Sequence, residues 1–168
     1  MQVAIDLEWY DQTGGDHVTE VGLAIADSKG TRYLHLVIRE NSHLENFYAY
    51  TSSSGFVFGT SQLVSLCQAK AEIVFWLLGG KQKKNVSLIW HSPHRDDAVL
   101  RKLGINILDY VPKENLFDTG EMFKSCFGGG NPKLSHVLDR LKIKYDPRAL
   151  HNAGNDAAYT LKAYTALE

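Results

Sequence analysis

The sequence predicts an α/β fold, a mixed five-stranded sheet of three antiparallel strands and two further strands, flanked by helices. Three observations carry that prediction. Strand-like runs at 3–9, 18–27 and 31–39 follow one another through short links, a strand-loop-helix unit lies at 86–104, and apolar stripes of helical period mark 61–78 and the last third of the chain.

With 168 residues, 44% hydrophobic and 22% charged, the chain is expected to form one domain over 1–168 with a sizeable core. It opens without a basic-then-apolar leader and has no apolar run of membrane-spanning length, so an intracellular protein of cytoplasm or nucleus is expected, without membrane contact. Cys67 and Cys126 lack the spacing of a metal knuckle or a disulfide framework and read as reduced, partly buried thiols. A net charge of −1 argues against gripping nucleic acid through a broad basic face. A polyanionic substrate would have to be met locally, by a metal centre and a few lysines. Lys81, Lys83 and Lys84 are the densest basic run, which reads first as a solvated turn.

The first strand, Val3-Ala4-Ile5-Asp6-Leu7-Glu8-Trp9, is apolar except for two carboxylates one residue apart. Strand alternation aims Asp6 and Glu8 to one face, beside Ala4. Ionised and buried together, they would cost several kcal/mol in desolvation and repulsion unless a cation stood between them. Carboxylate oxygens without thiolates suit Mg²⁺ or Mn²⁺ better than zinc. Solvated acids at a strand end are the competing reading, so the pair needs partners elsewhere.

Residues 11–16, with Gly14-Gly15, read as a turn, and Ser28-Lys29-Gly30 as the link between the second and third strands. Residues 40–60 have no clear period. They carry Phe47, Tyr48, Tyr50, Phe56 and Phe58, which could cover a substrate channel or pack on the sheet. Ser61 is a plausible N-cap for a helix reaching Leu78, with Leu63, Leu66, Ile73, Val74 and Leu77 as its stripe and Gly79-Gly80 as its stop. A short strand at 86–90 leads through His91-Ser92-Pro93 into a helix that ends at Gly104. Asp96-Asp97 lies in that helix's first turn, where the dipole alone favours acids; neighbours on a helix diverge by about 100°, so only Asp96 is expected to face a site on the first strand. A further strand ends at Leu116-Phe117-Asp118, a short helix follows, and Gly128-Gly129-Gly130 breaks the chain. Asn131-Pro132 then reads as a helix start, and the last helix spans about 155–167. On one continuous helix His151 and Asp156 would face about 140° apart. Gly154 and two asparagines between them instead place His151 on a loop and Asp156 in the last helix's first turn, where both could converge.

Together these pieces resemble the DEDDh group of 3′-to-5′ exonucleases, which has a ribonuclease-H-like fold. The resemblance covers nearly the whole chain. It rests on Asp6-Leu7-Glu8, His91-Ser92-Pro93-His94-Arg95-Asp96, Leu116-Phe117-Asp118-Thr119, Lys133-Leu134-Ser135-His136-Val137-Leu138, and His151 followed five residues later by Asp156. Within the group, Val18-Thr19-Glu20-Val21-Gly22, Phe56-Val57-Phe58-Gly59 and His151-Asn152-Ala153-Gly154-Asn155-Asp156-Ala157 look most like a fungal exonuclease-like family, known as a C-terminal domain in proteins linked to mRNA export and RNA silencing.

The resemblance implies a metal-dependent 3′-to-5′ exonuclease on single-stranded ends, RNA favoured over DNA, releasing nucleoside 5′-monophosphates. Asp6, Glu8 and Asp156 would hold one divalent cation, Mg²⁺ or Mn²⁺, and Asp6 and Asp96 a second, the two roughly 3.5–4 Å apart. Histidine exchanges protons near neutral pH, so His151 would be the general base. Trp9, directly after Glu8, falls where this group contacts the terminal nucleotide and could stack on a base, or else be a core aromatic on the opposite face. Leu7, His91 and Asn155 are the other expected substrate contacts, His91 in an orienting role rather than as half of a zinc pair with His94. Two departures bear on substrate positioning: Ser92 stands where asparagine is frequent, and Arg95 where an aromatic is frequent. The alternative is a catalytically weak module of the same fold acting through RNA binding or a protein partner in RNA metabolism.

Overall fold

A computed structural model of the chain describes residues 1–10, 17–44, 55–82 and 85–168, without the Gln82 side chain. The turn expected at 11–16, the aromatics Phe47, Tyr48 and Tyr50, and Lys83 and Lys84 lie outside the described residues.

Strands β1 (Gln2–Tyr10), β2 (His17–Asp27) and β3 (Gly30–Ile38) form the expected antiparallel meander. Gly30, at φ 120°, closes the β2–β3 link in a conformation that side chains resist, and the Lys29 N–H donates to Asp27 Oδ1 at 2.8 Å. The sheet then extends on both sides to six strands, ordered β4-β3-β2-β1-β5-β6. β5 (Ser87–Trp90) runs parallel to β1 and β6 (Leu116–Asp118) parallel to β5. The sixth strand is β4 (Gln62–Val64), parallel to β3, where the sequence suggested the first helical turn.

Helix α1 (Leu66–Leu77) therefore starts later than Ser61. Ser65 caps it, its hydroxyl accepting from the Gln68 N–H while the Gln68 side chain accepts from the Ser65 N–H. Helices α2 (His94–Lys102), α3 (Thr119–Phe127), α4 (Leu134–Arg140) and α5 (Ala153–Leu167) follow. α4 begins past the expected Asn131-Pro132 start, with Lys133 as its N-cap. The Pro132 carbonyl is instead engaged by the His91 ring at 2.9 Å. Both cysteines are exposed, not partly buried: Cys67 and Cys126 sit on outward-facing positions of α1 and α3.

Strand alternation divides the sheet's residues between two faces. Val3, Ile5, Leu7, Leu23, Ile25 and Leu36 join α1 in the largest apolar cluster. The other face is lined by small residues in mid-strand, Ala4 and Ala24, on which α5 lays Ala157, Leu161 and Tyr164. A helix on alanines approaches a sheet more closely than one on leucines, and the acids of β1 lie on this same face. No helix of the described residues is long and apolar enough to cross a membrane.

Candidate active site

β1 pairs with β5 only over Gln2–Ala4, so beyond Ala4 its edge on that side is open. The Leu7 N–H, left without a strand partner there, donates to Asp96 Oδ1 at 3.1 Å from the first turn of α2. This bond brings Asp96, 8% exposed, to the end of the strand that carries Asp6 and Glu8. In register across β2, Asp6 stands opposite Gly22 and Glu8 opposite Glu20.

The other half of the site comes from the start of α5. Asn152, fully buried, caps the helix by accepting the Asn155 N–H at 3.1 Å. Just before it His151 adopts φ 61°, a left-handed conformation that turns the chain into the helix. Its backbone N–H donates to Asp156 Oδ2 at 3.0 Å. The exposed His151 ring, Glu8 and Asp156 each offer a donor atom within 4.8 Å of the others, a group that could hold a metal ion.

Among the described residues none of Asp6, Glu8, Asp96 and Asp156 has an ion-pair partner. Their acidity shows the strain. Burial first, then the charges of Asp96, Asp156, Glu8 and Glu20, hold Asp6 well above the usual carboxylate range. Burial, followed by Asp156, Glu20 and Asp96, pushes Glu8 to about 8. Asp156 rises to about 7 through burial, partly offset by the His151 N–H, and Asp96 to about 6 through burial, partly offset by the Leu7 N–H. Asp6 Oδ2 and Asp156 Oδ1 are buried with no hydrogen-bond partner. Clustered hard oxygens, two of them orphaned, beside one imidazole fit a divalent cation of the Mg²⁺ or Mn²⁺ type.

The remaining sequence candidates have other occupations. Leu7 is 2% exposed and buries its side chain in the α1 face, so only its backbone serves the site. His91 Nε2 donates to the Pro132 carbonyl, Nδ1 lies 2.8 Å from the Thr119 hydroxyl, which itself donates to the Trp90 carbonyl, and burial lowers the ring's basicity. It braces β5 against the segment before α4. Asn155 is fully buried: Nδ2 donates to the Gly55 and Ala149 carbonyls at 2.7 and 2.8 Å, and Oδ1 accepts the Val57 N–H at 2.9 Å. Its side chain is spent on holding a loop. Trp9 follows a register shift between Glu8 and Trp9, packs partly against the α1-face cluster, and has the Arg95 guanidinium 5.9 Å from its ring centroid. Ser92 takes φ 55°, its N–H donating to Asp118 Oδ1 at 3.0 Å. Phe56 and Phe58 pack inward, on His35 and on Tyr33 and Tyr159. Lys81 lies with Met1, Arg32 and Trp76 around a cavity at the opposite end of β1 from the acids.

Glu20 and His35 escaped the sequence reading as site residues. The signal was an acid inside the second strand, away from the terminal Asp27 and directly before Val21-Gly22.

A family model described as "DNA polymerase III subunit epsilon-like, C-terminal domain", DEDDh_C, matches residues 1–167. An uncharacterized nucleolar protein of Schizosaccharomyces pombe is 29% identical over 167 residues, covering 96% of this chain and 66% of its own length. The Saccharomyces cerevisiae protein named "Good for full DBP5 activity protein 2" is 24% identical over 195 residues, covering 95% of this chain and 34% of its own length. The chain thus spans less than two thirds of these relatives. Among solved structures, the Neurospora crassa Pan2 catalytic unit superposes with a TM-score of 0.67 at 17% identity, over 98% of this chain and 26% of that one. A Saccharomyces cerevisiae Pan2 module solved in complex with AAGGA RNA gives 0.66 at 15% identity, over 99% of this chain and 28% of that one. The fold is ribonuclease-H-like, and the chain belongs to the DEDDh_C family of exonuclease-like domains.

Proposed function

We propose that this chain is a divalent-metal-dependent 3′-to-5′ exonuclease for single-stranded ends, preferring RNA to DNA and acting as one intracellular domain over residues 1–168. What supports the reading is a group of three donors, Glu8, His151 and Asp156, within 4.8 Å of one another, beside a buried Asp6 that feels the charges of Glu8, Asp96 and Asp156, with Asp6 Oδ2 and Asp156 Oδ1 left unbonded.

Asp6, Glu8 and Asp156 would hold one Mg²⁺ or Mn²⁺ and Asp6 with Asp96 a second, which together would neutralise the four acids, polarise the scissile phosphate and stabilise the leaving oxygen. The Leu7 N–H and the His151 N–H fix Asp96 and Asp156 from the backbone. His151, exposed beside Glu8 and Asp156, takes the proton of the attacking water on its ring. The water oxygen bonds to the terminal phosphorus, the bond from phosphorus to the 3′ oxygen of the preceding nucleotide breaks, and a nucleoside 5′-monophosphate departs. Solvent protonates the freed 3′ oxygen and accepts the proton from His151. Trp9, with the Arg95 guanidinium over its ring, would meet the terminal nucleotide.

A second reading is favoured by the relative named for full activity of another protein. In it the same fold binds metal and turns over little, acting through RNA or a protein partner in RNA metabolism. A time course on 5′-labelled single-stranded RNA and DNA, with Mn²⁺, Mg²⁺ or chelator, beside Asp6→Ala and His151→Ala, separates the two. A metal-dependent ladder shortening from the 3′ end and lost in both variants supports the exonuclease. A Mn²⁺-raised Tm without shortening overturns it in favour of the module.

A further inference from the structure

We propose that Glu20 and His35 are positioning residues that hold the first turn of α5 on β2, and thereby aim Asp156 and His151 at Asp6 and Glu8. The consequence for metal binding rests on the function proposed above; the positioning itself does not.

Glu20 is out of place by charge alone. It stands opposite Glu8 in an antiparallel pair, and like charges so placed repel. Two partners account for it. His35, with 0% exposure, sets Nε2 2.8 Å from Glu20 Oε2, and the same oxygen accepts the Ala153 N–H at 3.1 Å. Ala153 is the first residue of α5, whose leading N–H groups have no partner within the helix. Glu20 thus ties a helix end to a strand, at the end where the helix dipole favours an anion. Ser61 Oγ, 2.8 Å from His35 Nδ1, holds the far side of the ring, and Phe56 covers it.

The steric fit points the same way. Gly22 faces His35 across the β2–β3 pair, and a Cβ there would overlap the Ala153 carbonyl. A Cβ on Gly154 would come within 2.7 Å of His35 Cβ and 2.8 Å of Phe56 Cε2. The first turn of α5 therefore meets β2 and His35 through its own backbone, with no flexible side chain between. Asp156 lies in that first turn, and His151 immediately before the cap. A shift of the turn would displace both from Glu8.

Three variants and two readouts test this. Glu20→Ala removes the tie and the charge; Glu20→Gln removes only the charge and keeps an acceptor for the Ala153 N–H; Ser61→Ala loosens His35 without changing charge. In metal-free protein, hydrogen exchange at the Ala153 amide is expected to quicken at least tenfold in Glu20→Ala and severalfold in Ser61→Ala, with Leu161 unchanged. The Mn²⁺ concentration giving half the maximal Tm shift is expected to rise at least tenfold in Glu20→Ala and to stay within about threefold in Glu20→Gln. Unchanged exchange at Ala153 in both Glu20→Ala and Ser61→Ala overturns the proposal, as does a Glu20→Gln midpoint equal to that of Glu20→Ala, which would make Glu20 a source of field alone. Should Glu20→Ala fail to fold, Ser61→Ala carries the decision. A wild-type protein without any Mn²⁺ response sinks the metal-dependent function, while exchange at Ala153 still decides the positioning.

Discussion

Gly22 and the carbonyl of Ala153 occupy the space that a single methyl group would need. Strand β2 and the N-terminal turn of α5 meet there backbone to backbone, and the candidate site is built around that approach.

Gly22→Ala is therefore expected to be severe for so small a change. The obstructing atom belongs to a backbone carbonyl in a capped helix, so relief requires the whole turn to withdraw. A cost of about 3 kcal/mol fits the upper range for overpacking. For a chain of this size that is a fall in Tm of about 6–12 °C. Thermal unfolding followed by circular dichroism checks it, and a change under 2 °C would show that the approach is looser than described.

Asp96→Asn separates stability from function. The asparagine oxygen can still accept the Leu7 N–H, but the charge that burial resists is gone. In metal-free protein at pH 7.5 the variant is expected to be more stable, by on the order of 1–3 kcal/mol from the upward shift of Asp96. Nuclease activity is expected to fall at least a hundredfold. A less stable variant would mean that the carboxylate charge contributes something favourable to the metal-free fold.

The legibility of this molecule in its sequence divides along physical lines. Asp6 and Glu8 could be placed on one face because strand period is strict, and His151 could be kept off the last helix because an offset of five residues forbids a shared face. Ser65 was missed as the α1 cap because Ser61 offers the same chemistry a turn earlier, and only pairing with β3 turns residues 62–64 into strand. Asn155 enters as an expected substrate contact through the family resemblance alone. Its three hydrogen bonds reach Gly55, Val57 and Ala149, partners that no local pattern reveals. Glu20 needed the β1–β2 register, and His35 needed β3 on top of that.

The acid cluster sets an unusual pH dependence. Glu8 at about 8, Asp156 at about 7 and Asp96 at about 6 all lie above their unfolded values, and Asp6 lies well above its own. The folded protein then binds more protons than the unfolded chain, so stability is fullest below about pH 4 as far as these groups are concerned and is lost as pH rises toward 8. Metal-free protein should melt lower at pH 8 than at pH 5.5. Mn²⁺ competes with those protons, so its stabilisation should grow over the same interval. Melting curves at four pH values, with chelator and with Mn²⁺, provide the check. A metal-free Tm that climbs from pH 5.5 to 8 would contradict the cluster's electrostatics.

His151→Ala distinguishes a proton acceptor from a ligand. The hydrogen bond to Asp156 is made by the His151 backbone, so truncating the ring leaves that carboxylate where it is. Alanine keeps a Cβ at φ 61°, so the left-handed strain persists at about 1–2 kcal/mol and the fold is not relaxed into something new. If the ring acts on the attacking water, turnover should drop by roughly 10²–10⁴ while the Mn²⁺ midpoint for thermal stabilisation stays within threefold. The ring nitrogen also lies within 4.8 Å of donor atoms on Glu8 and Asp156, close enough to share a cation. In that case the midpoint would rise together with the loss of turnover. Supplying imidazole adds a further distinction, because a small base can replace a missing proton acceptor in an exposed position but does not restore a lost anchor of the metal to the chain.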